Sequence, residues 1–351
     1  MKSLNVLLVF GGESPEHEVS IKSAHNVYAA MDSEKYHVQL CYIDKKGKWW
    51  LIEKWIDNLE QHGGVQLLAV PGAKSLVTMP GDRILPIDVI FPVLHGKNGE
   101  DGTIQGFSEM LHIPYVGCSV ESSALCMDKH KTKQVLRAND LPAIDWTVFF
   151  SDEDIRQRLD DDKKKIYKKL GKGPWFVKPS RAGSSIGVSK VNEFSKLEPA
   201  IAAAHKYDTL ALVERAVVGR ELEVAVLGST HNAEATAPGE ILVGAEFYDY
   251  DDKYSTSSTS QALLEVELSK SMQTKIHDTA LLAYQALGCE GLARVDFLLS
   301  ETNELYINEI NTMPGFTNIS MYPKLWHKQG LKYPQLIDRL IELAIKKECY
   351  T

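Results

Sequence analysis

The chain has 351 residues, and its 44% apolar and 25% charged content is that of a globular protein with about two or three domains and real cores. A formal net charge of −8 argues against a nucleic-acid partner. The five cysteines are odd in number and form no CxxC pair, which fits reduced thiols in the cytoplasm, and the absence of any membrane-length apolar run argues against a membrane partner. The apolar stretch before Gly11 is too short for a signal peptide.

In chain order, LNVLLVF (4–10) reads as a buried strand that ends in Gly11 and Gly12, and EVSIKSAHNVYAAM (18–31) has helical spacing. A glycine turn that opens a helix is the usual preparation for a phosphate, yet this one carries Glu13, Glu16 and Glu18, which would repel an anion. YHVQLCYID (36–44) and PIDVIFPVLHG (86–96) are further apolar strands, so the first third predicts an α/β unit with a parallel sheet. Ligands of such sheets sit beyond the carboxyl ends of the strands, and 11–16 and 95–102 both fall there, so they are expected to face one cleft. His95, at a strand end beside glycines, is either a satisfied turn residue or a binding residue.

One helix is expected over 123–139, carrying MDKHKTKQVLRAN. Lys129 within it is, taken alone, a surface lysine. A strand and a lysine-rich helix follow, and the basic run DDKKKIYKKLGKG (161–173) reads as a solvated face. PWFVKPSRAGSSIGVSKV (174–191) reads as strand, Gly/Ser loop, strand; its backbone N–H groups and Lys178 could cover phosphates, although such a loop is equally a plain connector. The sequence is not a Walker A loop, and GGESPEH is not the GxGxxG of nicotinamide dehydrogenases. TLALVERAV (209–217) and the alternating VVGRELEVAVLGS (217–229) are strands. The polar stretch EFYDYDDKYSTSSTSQ (246–261) predicts a mobile loop, and SKSMQTKIHDTALLAYQAL (269–287) a helix.

GLARVDFLLSETNELYINEIN (291–311) predicts a hairpin. If Ser300 and Leu305 close it over a turn of 301–304, Asp296 faces Glu309 and Arg294 faces Asn311, all four on one side of the sheet. A bulge would break this count. Two opposed carboxylates need a cation between them, and two acids with an amide oxygen are the hard ligands magnesium prefers. Arg294 beside them can clamp a transferring phosphate.

GGESPEHEVS, LHGKNGEDGTIQG, PYVGC, MDKHKTK, VKPSRAGSSIGVSKV, EFYDYDDKY, ARVDFLL and NEINTMPGFTNISMYP run in order over nearly the whole chain, which closely resembles the D-alanine–D-alanine ligases of the ATP-grasp superfamily. The resemblance implies a three-domain α/β (α+β) architecture, divided at 1–125, 126–217 and 218–351, with nucleotide held between the second and third. It implies an ATP-dependent ligase that joins two D-alanines for peptidoglycan, and hence for cell-wall synthesis and cell shape. A D-Ala–D-Ser or D-Ala–D-lactate ligase is the alternative, and a nucleotide-binding sensor of D-alanine is the rival outside enzymes. The implied cofactors are ATP and two magnesium ions, with manganese as substitute and potassium as a further candidate. The implied assembly is a homodimer.

The resemblance also implies roles. Lys129 and Lys178 would hold phosphates under a loop at 183–185 that includes Ser184 and Ser185, and Lys253 would reach the transferred phosphate. Glu214 would meet the adenine amino group, Glu221 the ribose, and Ala216 and Val217 would stand beside the nucleotide. Asp296, Glu309 and Asn311 would bind metal, while Arg294 and the backbone of Gly315 would stabilise the oxyanion. Glu16, near His95, would pair with the ammonium of the first D-alanine and form a network with Ser184 and Tyr254. Ser320 and Met321 would hold the second D-alanine. An acidic glycine turn then makes sense, because its ligand is an ammonium.

Overall fold

The computed structural model describes residues 3–56, 58–61, 63–81, 83–242 and 261–348. Lys253, Tyr254 and the rest of the expected loop before Gln261 lie outside them.

Three sheets carry the chain. In the first, β1 (Leu4–Gly11) pairs in parallel with β2 (Tyr36–Ile43) on one side. On the other it pairs in parallel with β7 (Val89–Val93). These are the three strands expected from the apolar runs, and Val6 to Phe10 are wholly buried, as the centre of a covered parallel sheet requires. An antiparallel meander extends the β2 edge: β3 (Trp49–Ile52), β4 (Val65–Ala69), β5 (Ser75–Met79) and β6 (Ile84–Pro86). Helix α1 (His17–Ala30) follows β1 and packs on it, and α2 (Thr103–Met110) starts after the 95–102 loop.

The stretch expected as one helix is two, α3 (Val120–Met127) and α4 (Lys129–Ala138). Asp128 is extended between them, and its side chain caps α4 by accepting from the Lys131 N–H. It also accepts from Ser180 Oγ at 2.6 Å. The break therefore places Lys129 on the first turn of a helix anchored to Ser180, at the start of the Gly/Ser loop.

The second sheet is antiparallel, in the order β10-β9-β11-β8. It comprises β8 (Trp146–Phe150), β9 (Trp175–Pro179), β10 (Ser189–Val191) and β11 (Leu210–Arg215). Helices α5 (Ile155–Leu170) and α6 (Leu197–Ala204) cover it through Leu159, Ile166, Leu197 and Ile201. The basic run lies on and just beyond α5, mostly exposed.

The third sheet contains β12 (Gly219–Ser229), β13 (Asn232–Ala235), β14 (Gly239–Leu242), β15 (Gln261–Leu263), β16 (Gly291–Ser300) and β17 (Leu305–Asn311). Helix α7 (Lys270–Ala286) packs on it with Ile276, Ala280 and Tyr284 wholly buried. The chain finishes in α8 (Met321–Lys328) and α9 (Tyr333–Glu348). These helices join β1, β2 and β7 in one core: Phe91 meets Phe316 edge-on, and Leu336, Ile337 and Leu340 are buried in the same cluster as Val6 and Leu8.

The β16–β17 hairpin differs from its expected turn in an instructive way. The Ser300 N–H donates to the Glu304 carbonyl, and Asn303 is left-handed (φ 61°), so the loop is one residue shorter than expected. Near the turn Phe297 therefore pairs with Ile307. A bulge between Asp296 and Phe297 absorbs Asn308, and beyond it Asp296 pairs with Glu309 and Arg294 with Asn311. Burial along β17 records the shift: Leu305 and Ile307 are buried before the bulge, Ile310 after it. The expected pairs are present because the bulge offsets the shorter turn.

Candidate functional site

A cleft opens between the second and third sheets, with cations on one wall and carboxylates on the other. On the cation wall, Lys129 Nζ donates to the Ala182 carbonyl at 2.9 Å and lies 3.3 Å from Glu309 Oε2. It thus ties the Gly/Ser loop to the opposite sheet. Within that loop Ser184 and Ser185 are both left-handed (φ 48° and 58°), a conformation that costs energy in residues with a Cβ and clusters at binding loops. Ser185, Val217 and Glu221 line the cleft, whereas Ala216 is not among its lining side chains and donates its N–H to the Pro174 carbonyl.

Lys178, on β9, holds Glu214 Oε2 at 2.6 Å, and Glu214 is only 2% exposed. Burial alone would push this carboxyl up, but Lys133 and Lys178 outweigh it and hold it below its ordinary value. Lys133, 1% exposed and 3.2 Å from Glu214 Oε1, is itself pulled below the ordinary lysine value, first by burial.

The acidic turn meets the same loop. Ser184 Oγ donates to Glu16 Oε1 at 2.6 Å, and Glu16 is 7% exposed. The 11–16 and 95–102 segments do face each other: a Cβ on Gly96 would lie 2.7 Å from Ser14 Oγ and 2.8 Å from Glu16 Oε2. Gly96 is also left-handed (φ 70°), so this close approach needs glycine twice over. His95 is buried, 3.1 Å from the Met313 carbonyl through Nδ1 and 3.2 Å from Ser23 Oγ through Nε2. Burial would lower its pKa, but Glu100, at 3.8 Å, and the charge of Glu16 raise it above the usual histidine value.

On the facing sheet, Glu223 of β12 pairs with Asp296 of β16, which pairs with Glu309 of β17, so three carboxylates lie in a row across three strands. Arg294 makes a bidentate contact with Asp296, both bonds 2.7 Å, and its Nε is 3.2 Å from Glu223. Desolvation opposes its charge, but Asp296 and Glu223 hold the guanidinium well above even its usual value. Asn311 Oδ1 accepts from the Met313 N–H at 2.9 Å, which fixes the amide and leaves one lone pair of that oxygen. Among the described residues no three His, Cys, Asp or Glu side chains are placed as a metal group. The donor set is therefore two opposed carboxylates and an anchored amide oxygen, all hard. It fits magnesium if substrate oxygens complete the shell.

Gly315 and Ser320 meet at the start of α8. A Cβ on Gly315 would lie 2.7 Å from Ser320 Oγ, which accepts the Thr317 N–H at 3.0 Å. Met321 is 4% exposed, and its Sδ lies 2.7 Å from where a Gly239 Cβ would be, so it packs closely on β14. Four residues of the site escaped sequence reasoning: Lys133, Glu223, Glu100 and Asn308. The i, i+4 spacing of Lys129 and Lys133 and the Glu221/Glu223 alternation were available signals. Asn308 lines the cleft at the bulge, which the hairpin count did not locate.

One lysine on an antiparallel sheet and another on a helix beside it, a carboxylate–arginine row on the sheet facing them and an acidic parallel-sheet turn closing one end make this an ATP-grasp architecture, as in similar solved structures. The D-ala D-ala ligase N-terminus family model matches residues 5–118 and the D-ala D-ala ligase C-terminus model residues 135–342, so the chain belongs to the D-alanine–D-alanine ligase family. A D-alanine–D-alanine ligase of Thermoanaerobacter sp. (strain X514) is 44% identical over 99% of this chain and 98% of that protein. D-alanine–D-alanine ligase A of Escherichia coli K12 is 42% identical over 99% and 97%. The D-alanine–D-alanine ligase structure from Coxiella burnetii has a TM-score of 0.87 at 35% identity, covering 99% of this chain and 97% of that one. VanG D-Ala:D-Ser ligase from Enterococcus faecalis has a TM-score of 0.87 at 34% identity, covering 98% and 100%.

Proposed function

We propose that this protein joins two D-alanines into D-alanyl-D-alanine, consuming ATP and releasing ADP and phosphate. The observation that carries this reading is the Ser184–Glu16 hydrogen bond, which joins the Gly/Ser loop that would cover phosphates to the acid that would hold an ammonium. A carboxylate is a poor acyl donor. Breaking the bond between the β,γ-bridging oxygen and the γ-phosphorus of ATP, while a carboxylate oxygen of the first D-alanine bonds to that phosphorus, gives D-alanyl phosphate with a good leaving group. Glu16 would hold the ammonium of that D-alanine, and Lys129 and Lys178 the phosphates. Glu214 and Glu221 would meet the adenine and the ribose.

The amine of the second D-alanine, having lost its ammonium proton, then attacks the acyl carbon, and phosphate departs. Arg294 and the Gly315 N–H would stabilise the oxyanion, with Ser320 and Met321 shaping the second subsite. Magnesium held by Asp296, Glu309 and Asn311 would neutralise phosphate charge. Manganese as its substitute, potassium as a further ion, a homodimeric assembly and a cytoplasmic role in peptidoglycan synthesis and cell shape belong to the same reading, with domains at 1–125, 126–217 and 218–351. Among the described residues no helix is long and apolar enough to cross a membrane.

Phosphate release from ATP, with D-alanine, D-serine, D-lactate and L-alanine offered singly and in pairs, tests it. D-alanine alone should support turnover and yield the dipeptide. Phosphate release that requires D-serine or D-lactate would assign the alternative ligase, and no release with any pair would overturn the enzyme reading.

A further inference from the structure

Lys133 has no role in the reaction as written above. It sits four residues after Lys129 on α4, wholly buried, with Nζ 3.2 Å from Glu214 Oε1. Neither Nζ nor Oε1 has a hydrogen-bond partner among the described residues. Lys178 already holds the other Glu214 oxygen at 2.6 Å. One buried carboxylate thus faces two ammoniums, a surplus of one positive charge in a place where unbalanced charge is costly. The two lysines are not equivalent. Lys178 lines the cleft and can turn to a polyphosphate; Lys133 is not among the cleft-lining residues and is fixed by the helix.

We infer that Lys133 is a positioning residue for the nucleotide base: it is the counter-ion that stays with Glu214 Oε1 when phosphate draws Lys178 away from Oε2, keeping the carboxylate an anionic acceptor for an amino group. An adenine presents an N–H donor to such an acceptor, whereas a base with a carbonyl there presents a second acceptor and is repelled. The surplus cation is the one the phosphates would use, and the remaining pair is one to one. This inference rests on the ATP reading above and deepens it.

The test is Lys133→Met in the full-length protein. The remaining Glu214–Lys178 pair is balanced, so the thermal midpoint should stay at the wild-type value. ATP must then pull Lys178 from a carboxylate with no other partner. The KM for ATP should rise about tenfold or more, the scale of a hydrogen bond to a charged group, while kcat at saturating ATP changes far less. The preference for ATP over inosine triphosphate, measured as the ratio of kcat/KM values, should fall with it. In combination with Glu214→Gln the two losses of preference should be non-additive, because Lys133 acts through Glu214. A folded Lys133→Met with unchanged KM for ATP and unchanged base preference overturns the inference. So do additive losses in the double variant, or a Lys133→Met chain that cannot fold, which would make the lysine structural. Wild-type protein that releases no phosphate from ATP would instead overturn the ligase reading, before any variant is made.

Discussion

Glu16 is the residue on which the reading of the acidic turn depends. Its Oε1 accepts from Ser184 Oγ, and its Oε2 lies against the Gly96 backbone, so the carboxylate is held from two sides. Glu16→Gln keeps the volume and an acceptor oxygen but removes the charge that would pair with an ammonium. A hydrogen bond to a charged group contributes roughly 1.5–3 kcal/mol, so kcat/KM for the first D-alanine should fall roughly ten- to a hundredfold or more. The KM for ATP should change little, because on the proposed reading Lys129 and Lys178 hold the phosphates. Steady-state kinetics with each substrate varied in turn decides it; a loss confined to ATP would place the turn on the nucleotide. His95 carries a pH signature. Its folded pKa is raised, and so is that of Glu100, first by burial. Both groups bind protons more tightly folded than unfolded, so their contribution to stability is full below their unfolded values and is lost as pH rises through the folded ones. Urea denaturation should show the advantage of wild type over His95→Gln to be larger at about pH 6 than at about pH 9.

At the scale of elements, the break between α3 and α4 does chemical work. Asp128 caps α4 and takes the Ser180 hydroxyl, while the Lys129 N–H donates to the Ser180 carbonyl at 3.0 Å. Without the cap the two helices could run together and carry Lys129 out of the cleft. Asp128→Ala should cost about 0.5–2 kcal/mol of stability, the usual value of a lost N-cap. It should also raise the KM for ATP, because the lysine loses its orientation; a lower thermal midpoint with unaltered ATP kinetics would separate the cap from the site. The bulge at Asn308 works in the same way. One extra residue lets a short turn coexist with the Asp296–Glu309 and Arg294–Asn311 pairs, and both Asn308 and Glu309 line the cleft.

At the scale of the molecule, one face of the first sheet shares its core between α1 and the last two helices. Val6, Leu8, Val89 and Phe91 share their cluster with Phe316, Trp326, Leu336, Ile337 and Leu340 from the far end of the sequence. Tyr36 adds a hydrogen bond to Asp338 at 2.8 Å. The N-terminal unit and the last two helices should therefore unfold together. Leu340→Ala should cost about 2–5 kcal/mol, as for a buried leucine with little room to collapse, and shift a single denaturation transition followed by both circular dichroism and tryptophan fluorescence. Residues 1–125 expressed alone should show no cooperative transition, and a sharp one would show that the shared core is dispensable.

The apolar runs at 4–10, 36–44 and 86–96, the helical spacing after Glu16 and the glycine punctuation were all legible, because near neighbours set the period of burial and the turn conformation. The order of the segments was legible too, and with it the family. Other features needed the tertiary structure. The antiparallel meander β3–β6 joins the parallel strands through pairings of weakly patterned segments. The halt at Asp128 depends on a hydroxyl contributed by Ser180, distant in sequence. The hairpin count reached the right pairs, yet only the folded chain reveals the turn and the bulge whose shifts cancel. Lys133 shows the limit most plainly: in sequence it is one more lysine in a polar helix, and only packing brings it to Glu214. Periodicity is a local property of the chain, whereas register and the pairing of buried charge are set by segments that meet only on folding.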